Sequence, residues 1–348
     1  MSNTIVLLLS DHRLPNLKFF QFLTNTKKIN PDSNTNYILI GTDKTYKLKY
    51  HEHVAMALKI TEDKYVHWLV SPESYEKTSL SLKGYLSQIK RSTNFFLNIT
   101  TGTKMMALAA KDTFEKYVVN TPSHSLETYY IPINSENIHQ IYPSLIEQEF
   151  KASLSLKEYT TSYGFKINEN RSPRHLSLAE ANEYWKLIKD NNYSSSNIAS
   201  PFPKAGDLWE HIVFHKIASN LNLSESAIAL NIDIKPIHSR IKGTEDKHEL
   251  DIIFIKNDRL YIIECKDLSH QEQNASKFPS KKVRDYIYKS NSINQNLGLY
   301  AKSFIVILCP FKPNKDQQKS LDKFSKISNI KIIIAQDFEG KKFTDLIR

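Results

Sequence analysis

Cysteine is scarce in this chain: Cys265 and Cys309 are the only two in 348 residues. Both sit in apolar, strand-like runs, which suits small buried side chains better than a disulfide or a metal pair. Such usage fits a reducing compartment, and a cytoplasmic protein is expected. Long hydrophobic runs are lacking too. The stretch IVLLL near the start is too short for a signal-peptide core and runs at once into Asp11, His12 and Arg13, and no later stretch reaches membrane-spanning length. No membrane partner and no export are therefore expected. Internal repeats and low-complexity tracts are absent, and no GxxxxGK[ST] string occurs, so phosphate-loop nucleotide hydrolysis is not implied.

What is present is enough apolar residue, 40% of the chain, to give two domains a core each. The 47 Lys and Arg outnumber the 37 Asp and Glu for a net charge of +10, which favours nucleic acid as a partner, although the basic residues are dispersed. From residue 1 to 142, strand-like runs (TIVLLLS, YILIGT, NFFLNIT) alternate with segments of helical period, and a hairpin closes the series near 125–142. That order predicts a Rossmann-like α/β domain with a mainly parallel sheet covered on both faces. Residues 143–204 read as a connector with small helices, or as a small helix-turn-helix. A second α/β domain is expected over 205–348, opening with the helix DLWEHIVFHKIASNL.

In the second domain the string ELDIIFIKNDRLYIIECKDL places Asp251, Glu264 and Lys266 among residues that expect burial. With a two-residue turn at Asn257 and Asp258, Asp251 falls opposite Glu264 and Lys266 shares its face. A four-residue loop keeps the trio together, whereas a three-residue loop turns Asp251 away. Adjacent carboxylates near a core repel each other and lose hydration, a conflict that a divalent cation relieves. Oxygen ligands favour Mg²⁺ or Mn²⁺, with the carbonyl of Cys265 as a further ligand, and Lys266 then orients water or stabilises phosphate charge. The plainer reading is a hairpin whose charged ends face solvent and pair with one another. Glu210, in the apolar WEHIVFHKIA helix, is either a further ligand or part of an exposed stripe. His211 and His215 have a zinc-like spacing but no third ligand, and read as structural or RNA-facing.

This order of helix, strand and E-C-K strand resembles the PD-(D/E)xK nuclease superfamily over roughly 205–340, with Leu250 where the motif name has proline. The resemblance implies metal ligation by Asp251 and Glu264, a catalytic Lys266 and an auxiliary Glu210. Gln295, in the following helix, resembles a polar residue that several such nucleases keep.

In the first domain, NITTGTKMM carries Thr100, Thr101, Gly102, Thr103 and Lys104 from a strand into a helix. It reads as an anion site at a helix start or simply as a capped helix. A second polar junction, SDHRLPN, follows the first strand, and in an open parallel sheet both lie at strand carboxyl ends, where ligands bind. Together the two strings resemble the CRISPR-associated Rossmann-fold (CARF) sensor domains. By that resemblance Ser10, Asp11, Asn16, Thr101, Gly102, Thr103 and Lys104 contact a cyclic oligoadenylate, with Arg13 and Met105 as neighbours.

A CARF domain ahead of a PD-(D/E)xK domain is the arrangement of the ancillary nucleases of type III CRISPR systems. It implies a homodimer in which cyclic tetra-adenylate switches on metal-dependent cleavage of DNA, RNA or both. The competing expectations are a ligand-independent restriction-like or repair nuclease, a non-enzymatic CARF regulator that binds DNA, and a CARF site that degrades its own ligand.

Overall fold

The computed structural model describes residues 2–31, 35–132, 135–169, 175–238, 248–269, 278–297, 301–338 and 343–346. The chain divides into two compact units, Met1–Phe165 and Lys166–Arg348.

The first unit runs β1 (Ser2–Leu8), α1 (Leu14–Asn25), β2 (Thr35–Gly41), α2 (Asp43–Lys47), α3 (Tyr50–Ala57), β3 (Tyr65–Leu69), α4 (Tyr75–Leu86), β4 (Thr93–Asn98), α5 (Lys104–Asn120), β5 (Ser125–Tyr130), β6 (Asn137–Tyr142), β7 (Ile146–Glu149) and α6 (Leu156–Ser162). Its seven strands are ordered β3-β2-β1-β4-β5-β6-β7. The first five are parallel, and β6 and β7 close the edge antiparallel, with β5 and β6 forming the expected hairpin.

Both faces of this sheet are covered, which is why its strands are apolar throughout rather than alternating. Ile5, Leu7 and Leu9 face Phe19, Phe22 and Val54 of α1 and α3. Val6 and Leu8 face Met106, Ala110 and Phe114 of α5. Strand order reverses between β1 and β4, so a crevice opens beyond their carboxyl ends.

The second unit is built on β8 (Phe165–Glu169), α7 (Leu178–Asp190), α8 (Ala205–Leu221), β9 (Ile228–Pro236), β10 (His248–Lys256), β11 (Arg259–Asp267), α9 (Ser280–Leu297), β12 (Lys302–Leu308), α10 (Lys315–Ser328), β13 (Ile330–Ile334) and α11 (Phe343–Leu346). Its sheet is ordered β13-β12-β11-β10-β9-β8, with β9, β10 and β11 antiparallel and β11, β12 and β13 parallel. Helix α8 lays Leu208, Trp209, Ile212, Val213 and Ile217 on one face, over Ile252, Phe254, Ile263 and Val306. The Trp209 indole N–H donates to the Val306 carbonyl at 3.1 Å, which fixes the helix along β12. Val283, Ile287 and Leu321 of α9 and α10 cover the other face.

The stretch 143–204 does not stay separate from these units. Its β7 and α6 belong to the first, while α7 packs its Trp185 and Ile188 into the core of the second. Helix α7 opens on a reciprocal cap between Ser177 and Glu180. Among the described residues no helix is long and apolar enough to cross a membrane.

The β10–β11 hairpin has the two-residue turn: Lys256 pairs with Arg259, and the register continues to Ile252 opposite Ile263. Asn257 (φ 49°) and Asp258 (φ 62°) both take the left-handed backbone this turn requires, one that Asn and Asp tolerate better than most residues. A β-branched residue there costs about 1–2 kcal/mol. We expect Asn257→Val to lower the thermal midpoint by about 2–8 °C and Asp258→Gly to leave it unchanged or raised. An unaltered midpoint in the valine variant, read by circular dichroism, would contradict this turn.

Candidate active site and ligand loops

The register brings Asp251, Glu264 and Lys266 together. The Lys266 ammonium lies 2.6 Å from Glu264 Oε1 and 3.5 Å from Asp251 Oδ2, and it donates to the Cys265 carbonyl at 2.9 Å. The Cys265 backbone N–H donates to the same Asp251 oxygen at 2.6 Å, so β11 also holds that carboxylate from its main chain. The ring of Tyr286 on α9 lies 5.5 Å from the ammonium. Glu210 approaches from α8 within the field of Asp251, and Asn231 of β9 lies nearby.

Burial and crowding shape the protonation of this group. Asp251 is pushed up to about 6, first by desolvation and then by the Glu264 charge, against the pull of Lys266 and the Cys265 N–H. Desolvation, with Asp251 and Asp207 adding repulsion, raises Glu210 to about 8. Burial alone would lower Lys266, but the Asp251 and Glu264 carboxylates outweigh it and the ammonium is held charged above its ordinary value. The Cys265 thiol is fully buried and pushed upward, so only its backbone is available to a ligand.

The donor chemistry suits a hard divalent cation. Two carboxylates and one backbone carbonyl, the oxygens the sequence singles out, converge on a single positive centre, which here is the Lys266 ammonium. Among the described residues no cluster of three or more His, Cys, Asp or Glu side chains is gathered as a metal site. His211 and His215 have separate environments: His211 is buried and stacks on Phe202 at 4.5 Å, while His215 Nε2 meets the Leu176 carbonyl at 2.7 Å. Gln295 lies on α9, and its side chain falls outside the described residues.

In the first unit the two polar junctions meet at the β1/β4 crevice. The Leu8 carbonyl at the end of β1 accepts from Asn16 Nδ2 at 2.8 Å and from the Thr101 hydroxyl. Asn98, at the end of β4, donates to Asn16 Oδ1 at 2.9 Å, and its own oxygen accepts from the Thr100 N–H and hydroxyl at 3.0 and 2.6 Å. Asn16, Asn98 and Thr101 are buried, forming a polar floor that ties the loops together.

The other expected contacts lie above this floor. Thr103 caps α5 by accepting from the Met106 N–H at 3.2 Å, and both Thr103 and Lys104 are exposed. Gly102 has φ +83°, with Leu8 so near that a Cβ would come within 3.3 Å of it. Ser10 Oγ accepts from the His12 N–H at 3.1 Å. Asp11 accepts from the Tyr50 hydroxyl at 2.5 Å. Arg13 is buried, with its guanidinium 3.7 Å over the Tyr50 ring and donating to the Ser162 carbonyl. Asn98 and Asn231 were not expected from the sequence. Each is a polar residue inside an apolar strand run, NFFLNIT and IALNIDI, which is the one local sign of their roles.

A Rossmann-like sheet with its polar loops at the switch point, followed by a mixed sheet with an E-C-K strand, defines a sensor domain joined to a nuclease-type domain. Comparison with family models agrees: residues 4–159 match the Card1 CARF domain and residues 202–332 the Card1-like endonuclease domain. The chain thus carries a Card1-type CARF domain ahead of a Card1-like endonuclease domain. No curated protein matches it.

Solved structures share the fold at low identity. VC1899 from Vibrio cholerae aligns at TM-score 0.67 and 14% identity, covering 99% of this chain and 97% of its own. Can2 from Sulfobacillus thermosulfidooxidans, solved with cyclic tetra-adenylate, aligns at 0.63 and 18%, covering 99% of both chains. A type III CRISPR defence DNA nuclease activated by cyclic oligoadenylate aligns at 0.55 and 14%, covering 88% of this chain and 45% of that one.

The raised carboxyl groups carry a stability signature. Glu210 binds its proton more tightly in the folded chain than at its ordinary 4.5, so the folded state holds the extra proton between pH 4.5 and about 8 and stability falls across that window. In chelator, Glu210→Gln should flatten this decline and raise the thermal midpoint at pH 8 by about 2–4 °C per kcal/mol recovered. A wild-type pH profile in that variant would show that Glu210 is not held in this environment.

Proposed function

We propose that this protein is a metal-dependent nuclease, switched on by a cyclic oligoadenylate bound across the CARF domains of a homodimer, in type III CRISPR antiviral defence. Cyclic tetra-adenylate, the ligand of the Can2 structure, is the favoured activator. The observation that carries the reading is the convergence of Asp251, Glu264 and the Cys265 carbonyl on one cationic centre beside Glu210.

In this reading Asp251, Glu264 and the Cys265 carbonyl hold Mg²⁺ or Mn²⁺. When bound, the cation supplies Lewis acidity toward the phosphodiester. Lys266, released from its three oxygens, presents a charged ammonium to the phosphate as negative charge builds on it. Glu210 stands beside this group as an auxiliary carboxylate, and a cation on Asp251 would relieve the repulsion that raises it in the metal-free chain. The substrate is DNA, RNA or both, since backbone contacts by dispersed basic residues do not discriminate between them.

On the sensor side, Ser10, Asp11, Gly102, Thr103 and Lys104 form the rim that meets the ligand, while Asn16 and Thr101 shape the floor beneath it. A ring with two-fold symmetry suits two protomers presenting the same rim. Met105 and Leu108, exposed at the start of α5 beside that rim, give such a dimer apolar surface to bury. Moving the population from about 1% to 99% active requires roughly 10⁴-fold tighter binding to the active state. A ligand touching both protomers has the contact area to provide it.

The test is a cleavage assay with Mn²⁺ on plasmid, single-stranded DNA and RNA, with and without cyclic oligoadenylates of different ring sizes. We expect cutting only with ligand, none by Asp251→Ala, and a fall in kcat of about 10²–10³-fold for Lys266→Met. Equal rates without ligand would select a constitutive nuclease. Function untouched by Glu264→Ala would select a non-enzymatic regulator. Lys104→Glu should raise the half-activating ligand concentration about tenfold or more, a loss of about 1.4 kcal/mol. An unchanged activation curve would remove Lys104 from the rim.

A further inference from the structure

Among the described residues the Lys266 ammonium has two kinds of neighbour. Three are oxygens: Glu264 at 2.6 Å, the Cys265 carbonyl at 2.9 Å and Asp251 at 3.5 Å. The fourth is the ring of Tyr286 on α9, whose centroid lies 5.5 Å from the ammonium nitrogen. Its helix sets that ring in place. Val283 and Ile287 of α9 are buried in one cluster with Ile305 and Ile307 of β12, and Tyr286 packs partly buried against it. The lysine side chain is only 22% exposed, so ring and ammonium meet largely away from water, where a cation over an aromatic face is attracted most strongly.

The two kinds of neighbour respond differently to a divalent cation. Asp251, Glu264 and the Cys265 carbonyl are the oxygens that would hold it, and in doing so they give up the lysine. An aromatic face is no ligand for a hard cation, so the ring stays with the lysine. It carries no formal charge either, and an ammonium resting on it keeps a full positive charge to offer a phosphate. We propose that Tyr286 is a positioning residue for cleavage: its ring receives the Lys266 ammonium released by the three oxygens and holds it beside the site. This rests on the reading of Asp251, Glu264 and Lys266 as the nuclease site.

Two substitutions separate the ring from the packing. Tyr286→Leu keeps an apolar side chain against the α9 cluster and removes the aromatic face, and Tyr286→Phe keeps the face and removes only the hydroxyl. In the full chain with saturating Mn²⁺ and cyclic tetra-adenylate, Tyr286→Leu should lower kcat about 5–30-fold with KM for the nucleic acid unchanged, while Tyr286→Phe stays within about twofold of wild type. Calorimetry gives a readout that needs no cutting. Without the ring to favour its released position the lysine competes harder for its oxygens, so Tyr286→Leu should weaken Mn²⁺ binding about twofold or more. Because Tyr286 acts through Lys266, the same change in a Lys266→Met background should alter neither the Mn²⁺ affinity nor the residual rate.

Wild-type kcat and Mn²⁺ affinity in folded Tyr286→Leu, equal losses in the leucine and phenylalanine variants, or equal losses with and without Lys266 would overturn the proposal. Cutting that survives Asp251→Ala would instead overturn the reading of the site, and this inference with it. If Tyr286→Leu fails to fold, Tyr286→Met, whose unbranched side chain adapts to an irregular gap, takes its place in each comparison.

Discussion

The second unit depends on one electrostatic arrangement, the Lys266 ammonium held among Glu264, Asp251 and the Cys265 carbonyl. Two carboxylates this close and this far from water would otherwise be tolerated only by taking up protons. The lysine keeps part of that charge in place, and breaking such a buried group by removing one partner typically costs about 3–5 kcal/mol. Everything around it serves to hold the three strand residues in register: the tight turn at Asn257 and Asp258, the continuous apolar pairing of β10 with β11, and α8 fastened through Trp209 to β12. A neutral, well-packed hairpin would be simpler to fold, so stability alone does not account for this charge.

The first unit solves a different problem by related means. A parallel sheet covered on both faces offers a ligand no surface except its strand ends, and the reversal of strand order between β1 and β4 opens the crevice there. Asn16, Asn98 and Thr101 satisfy one another and the Leu8 carbonyl within that crevice, so the two loops act as one body. Both units therefore set polar groups at points where the sheet alone leaves the main chain incompletely paired.

The fold was legible wherever hydrophobic pattern dictates it. Continuous apolar strands alternating with helical segments foretold the parallel sheet, while Asn-Asp between two strand runs left three loop lengths open, of which the structure has the two-residue turn. The segment 143–204 was harder to read. β7, α6 and β8 are short and owe their stability to packing on larger neighbours, whereas α7 has 13 residues and buries Ala181, Trp185 and Ile188 at helical spacing. Yet the Ser177–Glu180 cap was open to reading as a helix start. The roles of Asn16 and Thr101 were half legible: their loops pointed to a site, but whether a polar side chain faces a ligand or its own backbone depends on tertiary contacts. Asn231 stood out only as a polar residue in the apolar run IALNIDI, and nothing there signals its left-handed backbone.

The hydrogen-bonded floor beneath the sensor loops has a thermodynamic consequence. Loops already joined through the Leu8 carbonyl have met their ordering entropy during folding, so little of it is left to be met when a ligand arrives. Binding to such a rigid cradle would discriminate by shape, because little of the contact energy would go into ordering it. Lesions in the floor would then register as poor folding, whereas lesions at the rim would register as a change in which ligand is heard.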